Sequence, residues 1–541
     1  MSDNFCRHFL QQAQQHPQRL ALRIPHMQGL ECCSEEVMTY GELNQLAGAL
    51  QRHWLKNGAS RGMARGQGLQ PGDRVVVIAR PSAALYAVVL SLLASGLVAV
   101  FIDTGMGKDK IRQALQDADA KAIVSMKSLL KLRWLVPELR TLSSWCIDGA
   151  GLFLRRLPMS VRPDDGLTLM SAASGDHGLI SFTSGSTGRP KGADRTHYSL
   201  DQQHFAIRHH WPDNDGDIDS PCFPVLVLHN LSCGMTTVMP KVDLATPGRP
   251  NVRSLLTHWQ QHGVKRISGA PAYFQAICDH LLQQRQTLAQ IDSVSIGGAP
   301  VSLSLAHKLR QAFPAATIRI AYGSTEAEPI AALNIDDYLT LPDPAAGLLV
   351  GDVVDEAEVM IARLDHDGQP QACVQGEAGE ILVAGPHVLQ GYYRNPLADA
   401  ANKIPRPEGD VWHRTGDVGY FDTQQRLWLT GRVADAIQLM GGVAQPYPLE
   451  QQLDALAGIE RSAAVQCGDQ LYLFLVCDTP LTQVRPLIES LLPQTHWRLM
   501  RLASMPLDGR HNSKIDRPAL RQQVADNKVI NRQEELALDI Q

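Results

Sequence analysis

The sequence predicts an α/β protein of more than one domain, built on a mainly parallel sheet. Three observations predict it. Strand-like and helix-like segments alternate between residues 74 and 125. A loop of Gly, Ser and Thr follows directly on an apolar strand at Ile180–Gly192. At 541 residues the chain exceeds what one compact core holds.

Composition narrows the class. Hydrophobic residues at 44% and charged residues at 19% suit a globular protein. A net charge of −5 gives no general attraction to nucleic acid or anionic lipid. The ten cysteines show no C-x-x-C pair and no zinc spacing, so they read as reduced thiols in a cytoplasmic protein. The N-terminus shows no basic region followed by an apolar run, so no signal peptide is expected.

The elements follow in order. Residues from Phe5 to about Leu55 read as helical with a short sheet insert. Within them Thr39–Leu55 carries Leu43, Leu46, Leu50 and Leu55 at helical spacing, with Thr39 and Glu42 as a capping box. Asn57–Gln70 is a loop, and Pro71-Gly72-Asp73 turns into the strand Arg74–Ala79. Leu85–Ile102 approaches the length of a membrane span, but Pro81 precedes it and Gly96 breaks it. It reads as a buried helix from about Ser82 to Ser95 and a strand Leu97–Ile102. A helix Lys108–Ala118 and a strand Ala122–Ser125 continue the alternation, which argues for a parallel sheet covered on both faces.

Asp201–His210 contains His204, His209 and His210. A metal site and a solvated helix face both fit. The lack of an H-x-x-x-H pair and the scattered carboxylates favour the solvated face. Phe223–Pro240 is nearly all apolar and reads as a buried strand followed by a buried helix. Val264–Pro271 and Ser293–Pro300 read as strands, the second ending G-G-A-P. Ala315–Ala321 leads into Y-G-S-T-E, where Glu328 reads as a helix-start charge. Strand-end loops of this kind bind ligands in doubly wound sheets. Glu377–Gly391 is a candidate small barrel, and Arg426–Leu429 is a strand. Near the C-terminus, strands at Ala463–Gln466 and Leu471–Val476 precede a helix Pro486–Leu492 with proline in its first turn. A charged helix is expected from about Asp526.

Ile180–Gly192 reads I-S-F-T-S-G-S-T-G-R-P-K-G. Gly185, Gly188 and Gly192 let backbone N–H groups converge on an anion. Thr183, Ser184, Ser186 and Thr187 add hydroxyl donors, and Lys191 adds a point charge. This inventory suits a polyphosphate, although no Walker A pattern can be written through it.

The stretch resembles the phosphate-binding signature of the acyl-adenylate-forming superfamily: acyl-CoA synthetases, non-ribosomal peptide adenylation domains and luciferases. Further motifs occur in the family's order from about Tyr40 to Leu520. D-x-G-M-G after Phe101, the Phe223–Pro240 run and R-H-N-S-K-I-D at 510–516 resemble the olefin-pathway β-lactone synthetase and fatty-acid–AMP ligase-like branch.

The resemblance implies a large N-terminal domain (1–433) of two doubly wound α/β subdomains plus a small β-barrel. A small mobile α+β lid (434–541) would carry the catalytic lysine. It implies that the 180–192 loop holds the β and γ phosphates of ATP. Gly298, Ala299 and Pro300 would line the adenine pocket, and Tyr322 would stack on the base, with Gly323 and Ser324 in the same loop. Thr325 would touch the α-phosphate, and Glu326 would hold Mg²⁺. Asp417, in T-G-D, would hold the ribose hydroxyls, and Arg432 would contact the ribose or phosphate edge. Lys514 would be the catalytic lysine, acting with Thr325, Glu326 and Lys191.

The resemblance also places the acyl wall at Val227, His229 and Gly234 with Gly298, and the gate near His229. No acidic anchor for a substrate amine occurs between Phe223 and Pro240, which counts against an α-amino acid substrate. Ala434 stands where the family has Asp or Lys at the hinge, and Gln438 where many CoA ligases have lysine. The implied reaction activates a fatty or 3-hydroxy fatty acid as acyl-adenylate with release of pyrophosphate. β-Lactone closure would follow in one reading, and thioester formation with CoA or an acyl-carrier protein in the other.

Overall fold

The computed structural model describes residues 3–537 other than 30, 58–67, 150–154, 163, 184–187, 245, 342–345, 440–441, 493–495, 509–512 and 527–534. A seven-stranded sheet is ordered Arg155–Arg156, Ser143–Cys146, Ala122–Ser125, Arg74–Ile78, Val98–Ile102, His177–Thr183 and Lys191–Thr196. All pairings are parallel except the last, an antiparallel hairpin that pairs Thr183 with Lys191.

The helix Ala83–Ala94 lies in the core beside this sheet, and all twelve of its residues are buried. Ser82 starts it by accepting the Leu85 N–H at 3.1 Å. At about 1.5 Å per residue it spans about 18 Å, short of a bilayer's hydrocarbon core. No helix among the described residues is long and apolar enough to cross a membrane. The capping box forms as expected: Glu42 accepts the Thr39 N–H at 2.8 Å, and Thr39 Oγ1 accepts the Glu42 N–H at 3.2 Å. It opens the helix Tyr40–Asn57.

A second parallel set orders Thr236–Val238, Ile218–Pro221, Arg266–Gly269, Ser293–Gly297 and Thr317–Ser324. The N-terminal hairpin Leu20–Gln28 and Glu31–Thr39 extends one edge. At the other edge Ala327–Asn334 runs antiparallel and hands the sheet on to Leu348–Val353. From there Leu427–Arg432, Val411–Phe421, Gly379–Ala384 and Glu358–Leu364 pair antiparallel in that order. This antiparallel part stands where the small barrel is expected, and its hydrogen bonds run continuously into the second sheet. The C-terminal residues form a separate sheet of Ile459–Cys467, Gln470–Cys477, Trp497–Arg501 and Glu535–Ala537 with its own apolar core.

Several local expectations change. The apolar run holds a helix, Leu226–Cys233, followed by a strand, Thr236–Val238. The strand expected first lies upstream at Ile218–Pro221. An unbroken apolar run has no period to separate the two, and Gly234 at φ +81° ends the helix in a left-handed turn. Glu328 starts no helix. It is exposed within the strand Ala327–Asn334, because the Y-G-S-T-E segment turns back as a hairpin, Tyr322 opposite Ala331. Pro486 lies inside the helix Leu481–Leu491, on its exposed side. Burial of Leu481, Val484 and Ile488 on one face holds that helix despite the hydrogen bond that proline removes. The charged tail contributes the strand Glu535–Ala537, paired antiparallel with Trp497–Arg501.

Candidate functional site

The strand ends of both parallel sets and two antiparallel strands bring Tyr322, Asp417 and Arg432 together in one group and Lys191 and Glu326 in another. The first group centres on Asp417. Val411–Phe421 and Leu427–Arg432 pair so that Asp417 lies directly across from Arg432. Arg432 Nε donates to Asp417 Oδ1 at 3.0 Å. The Tyr322 hydroxyl, from the end of Thr317–Ser324, donates to Asp417 Oδ2 at 2.9 Å. Burial, and then the Asp417 charge, push the Tyr322 phenol well above its ordinary pKa, so it is a donor at any working pH. A carboxylate oxygen accepts more than one hydrogen bond, so Asp417 retains capacity for sugar hydroxyls. Tyr322→Phe is expected to weaken AMP binding about tenfold, the loss of one hydrogen bond to a charged acceptor. Calorimetric titration with AMP reads this, and an unchanged affinity would separate the hydroxyl from nucleotide recognition.

The second group centres on Glu326, just past Thr325 in the turn between Thr317–Ser324 and Ala327–Asn334. Tyr392 donates its hydroxyl to Glu326 Oε1 at 2.8 Å. Lys191 and Lys403 place their ammonium nitrogens 5.2 and 5.6 Å from the Tyr392 ring centroid. Lys191 Nζ donates to Asn402 Oδ1 at 3.2 Å, and Lys403 Nζ donates to the Leu389 carbonyl. Burial lowers both lysines, Lys403 to about 8, while Glu326 opposes the shift in each.

Burial pushes the Glu326 carboxyl up, but neighbouring groups outweigh it and its pKa ends low. His413 is itself held neutral by burial, down to about 3. The Tyr392 hydroxyl and the Lys403 ammonium are therefore what keep Glu326 ionised. Arg195, buried on Lys191–Thr196, fixes the turn by donating to the Thr325 carbonyl at 2.7 Å.

Gly188 holds φ +87°, which a side chain at that position would strain. Thr183 closes the described part of the strand before it. Ser184, Gly185, Ser186 and Thr187 lie outside the described residues. Gly298, Ala299 and Pro300 follow the strand Ser293–Gly297. Gly298 and Pro300 are exposed, and a Cβ at Gly298 would lie 3.6 Å from Cζ of Phe223. Phe223 is thus the member of the apolar run that borders the G-G-A-P turn. Val227 is fully buried in the main core, and Gly234 ends its helix against the Gln12 side chain. His229 is buried against His204. That contact corrects the solvated-face expectation for His204, which is 3% exposed. His209 and His210 do lie nearer solvent, paired with Glu356 at 2.8 and 2.9 Å.

Lys514 is exposed on the C-terminal part, next to a docking contact. Ser513 Oγ accepts the Ala272 N–H at 3.1 Å, at the start of the helix Pro271–Gln283. Asp508 Oδ1 accepts both the Ser513 and Lys514 N–H groups, at 3.0 and 2.7 Å.

Tyr392, Lys403, Asn402, His413 and Arg195 escaped sequence reasoning. Y-Y-R-N-P and A-N-K-I-P have no chemical spacing of their own, and backbone contacts of Tyr392 with Ala193 and of Tyr393 with Gly192 bring them to Lys191. Among the described residues, a cleft of about 810 Å³ is lined by Asp194, Tyr198, Glu356 and Arg406 and borders the second group only through Leu389.

The arrangement can hold a nucleotide and a divalent ion. One carboxylate lies beside an aromatic ring and an arginine, and a second lies beside a tyrosine hydroxyl and near two lysine ammonium groups. Known proteins agree. The chain is 29% identical to the olefin β-lactone synthetase of Xanthomonas campestris pv. campestris, over 94% of this chain and 95% of that one. It is equally similar, with the same coverage, to the olefin β-lactone synthetase of Stenotrophomonas maltophilia. In fold it is similar to the amide bond synthetase McbA from Marinactinospora thermotolerans, with a TM-score of 0.79 at 21% identity over 97% of this chain and all of that one. The AMP-binding enzyme family matches residues 9–393, and the chain belongs to that family of adenylate-forming ligases.

Proposed function

We propose that the chain activates a 3-hydroxy fatty acid as its acyl-adenylate and then closes a β-lactone with release of AMP. The observation that carries this reading is similarity to two β-lactone synthetases along nearly the whole chain. Residues 1–433 act as the adenylating domain and 434–541 as the lid bearing Lys514.

In the first step a substrate carboxylate oxygen attacks the α-phosphorus of ATP, and pyrophosphate leaves. The carboxylate is already a nucleophile, so no general base is needed. Asp417 and Arg432 orient the ribose, and Tyr322 stacks on the base. Lys191 and the 183–188 loop hold the β and γ phosphates. Lys514 and Thr325 meet the negative charge that grows on the α-phosphate. Glu326 suits Mg²⁺ because it is ionised, oxygen-bearing and next to the phosphate-binding lysine; the ion would neutralise phosphate charge. In the second step the substrate's 3-hydroxyl oxygen attacks the activated carbonyl carbon. The bond to AMP breaks and the hydroxyl proton leaves to solvent. Intramolecular attack offsets part of the ring strain. No thiol acceptor is required, which suits Ala434 at the hinge and Gln438 beyond it.

Purified protein with ATP, Mg²⁺ and a panel of fatty and 3-hydroxy fatty acids tests this. AMP release is followed with and without CoA, and the acyl product is identified by mass and NMR. The expected result is CoA-independent turnover restricted to 3-hydroxy acids, with a product one water lighter than the acid. Turnover of plain fatty acids that depends on CoA, or on a carrier protein, would replace this reading with a thioester ligase.

A further inference from the structure

A second cluster lies outside the nucleotide groups. His204 sits on the helix His197–His210, while His229 and Cys233 sit four residues apart on Leu226–Cys233. That spacing puts both side chains on one helix face. All three are buried, at 3%, 8% and 8% exposure. His204 Nδ1 lies 3.0 Å from His229 Nδ1, and Cys233 Sγ lies 3.5 Å from His229 Nε2. One nitrogen from each imidazole and the sulfur lie within 4.8 Å of one another. Burial holds His204 down to about 3 and His229 well below its ordinary value, so both imidazoles are neutral. A neutral imidazole has one nitrogen lone pair to give a metal.

We propose that His204, His229 and Cys233 form a binding site for one thiophilic divalent cation of the Zn²⁺ class. Zinc takes nitrogen at about 2.0–2.1 Å and sulfur at about 2.3 Å, so tetrahedral ligand atoms stand about 3.3–3.6 Å apart. The two contacts use different nitrogens of His229, only one of which can ligate a given ion, so only one of them is an edge of the site. The longest edge, at most 4.8 Å, has to close by about 1 Å, and the Cys233 side chain would have to rotate to supply that movement. On ligation the thiol becomes thiolate, its proton leaves to solvent, and a fourth position remains for water. The ion would pin Leu226–Cys233, which also carries Val227, to His197–His210.

The other candidate clusters among the described residues lack this character. In Glu35, His258 and His262 the carboxylate is already paired with Arg23 at 2.9 Å and Lys241 at 3.0 Å. His209, His210 and Glu356 are ion-paired near the surface, and Asp365, His366 and Asp367 are all exposed.

The test uses the full chain, stripped with a chelator and titrated with Co²⁺ and then Zn²⁺. One Co²⁺ per chain, a thiolate-to-cobalt charge-transfer band and a Zn²⁺-dependent rise in melting temperature are expected. Cys233→Ser should abolish the band, and His204→Asn should weaken Co²⁺ binding more than about tenfold. Retained AMP binding certifies that each variant is folded. If Cys233→Ser does not fold, His204→Asn and the parent stoichiometry decide. Absence of stoichiometric metal at micromolar concentrations in the parent chain, or a band that persists in Cys233→Ser, would overturn the proposal.

Discussion

Lys514→Ala lowers adenylate formation by about 10²–10³-fold, with ATP binding retained. The size follows from the charge that Lys514 is asked to meet. As the acid attacks, negative charge gathers on the α-phosphate oxygens, and a positioned ammonium stabilises it more in the transition state than in the bound ground state. Its backbone is set on both sides: Ser513 docks on the Ala272 N–H, and Asp508 binds the N–H groups of Ser513 and Lys514. The backbone that carries the charge is therefore held at Ser513 and Lys514. Pyrophosphate release measures the first step, and calorimetry with ATP measures binding. An equal loss in both would make Lys514 a ground-state ligand for the nucleotide.

Arg517→Met destabilises the C-terminal part by about 3–5 kcal/mol. Arg517 grips Glu450 with two nitrogens at 2.8 and 2.9 Å, and both side chains are only 6% exposed. It also donates to the Ala464 carbonyl at 2.8 Å. Methionine fills most of the volume but strands the Glu450 carboxylate, whose remaining partner is the Ala464 N–H at 2.7 Å. The cost is that of an unpaired buried charge, not the net worth of the pair. Urea unfolding followed by tryptophan fluorescence reads it through Trp497, buried in the same part. Adding Glu450→Leu should recover most of the loss, because an apolar pair needs no desolvated charge. A loss below about 1 kcal/mol in the single variant would show that water reaches Glu450.

Much of the fold was legible where sequence carries a local physical rule. The capping box at Thr39, the Gly96 break and the strand over Leu179–Phe182 each act within a few residues, and each sits where expected. Tyr322, Asp417 and Arg432 lie together because they stand at strand ends and in paired strands, although what they bind is a matter of the resemblance. Pairing across the chain was not legible. His204 meets His229 because two helices pack, and neither helix encodes the other's rotation. Tyr392 reaches Glu326 across 66 residues through one bridge to Ala193. The order of helix and strand in Phe223–Pro240 was hidden by uniform apolarity, and Pro486 misled because burial of one face outweighed its local cost.

The strand that carries Arg432 runs directly into the short turn Val433–Asp435, where Asp435 is gripped by Arg521 at 2.8 Å and Arg517 at 3.4 Å. Three residues span at most about 10 Å. Any swing of the C-terminal part therefore has its fulcrum almost at the sugar, and the geometry is that of a lever with very unequal arms. In the swing proposed for a lid, Arg432 at the short end would barely travel, whereas Lys514, far along the chain, would sweep a wide arc. A nucleotide held through its ribose, as proposed, would stay anchored while the Lys514 charge is carried in and out, so the timing of chemistry would be set without releasing the ligand.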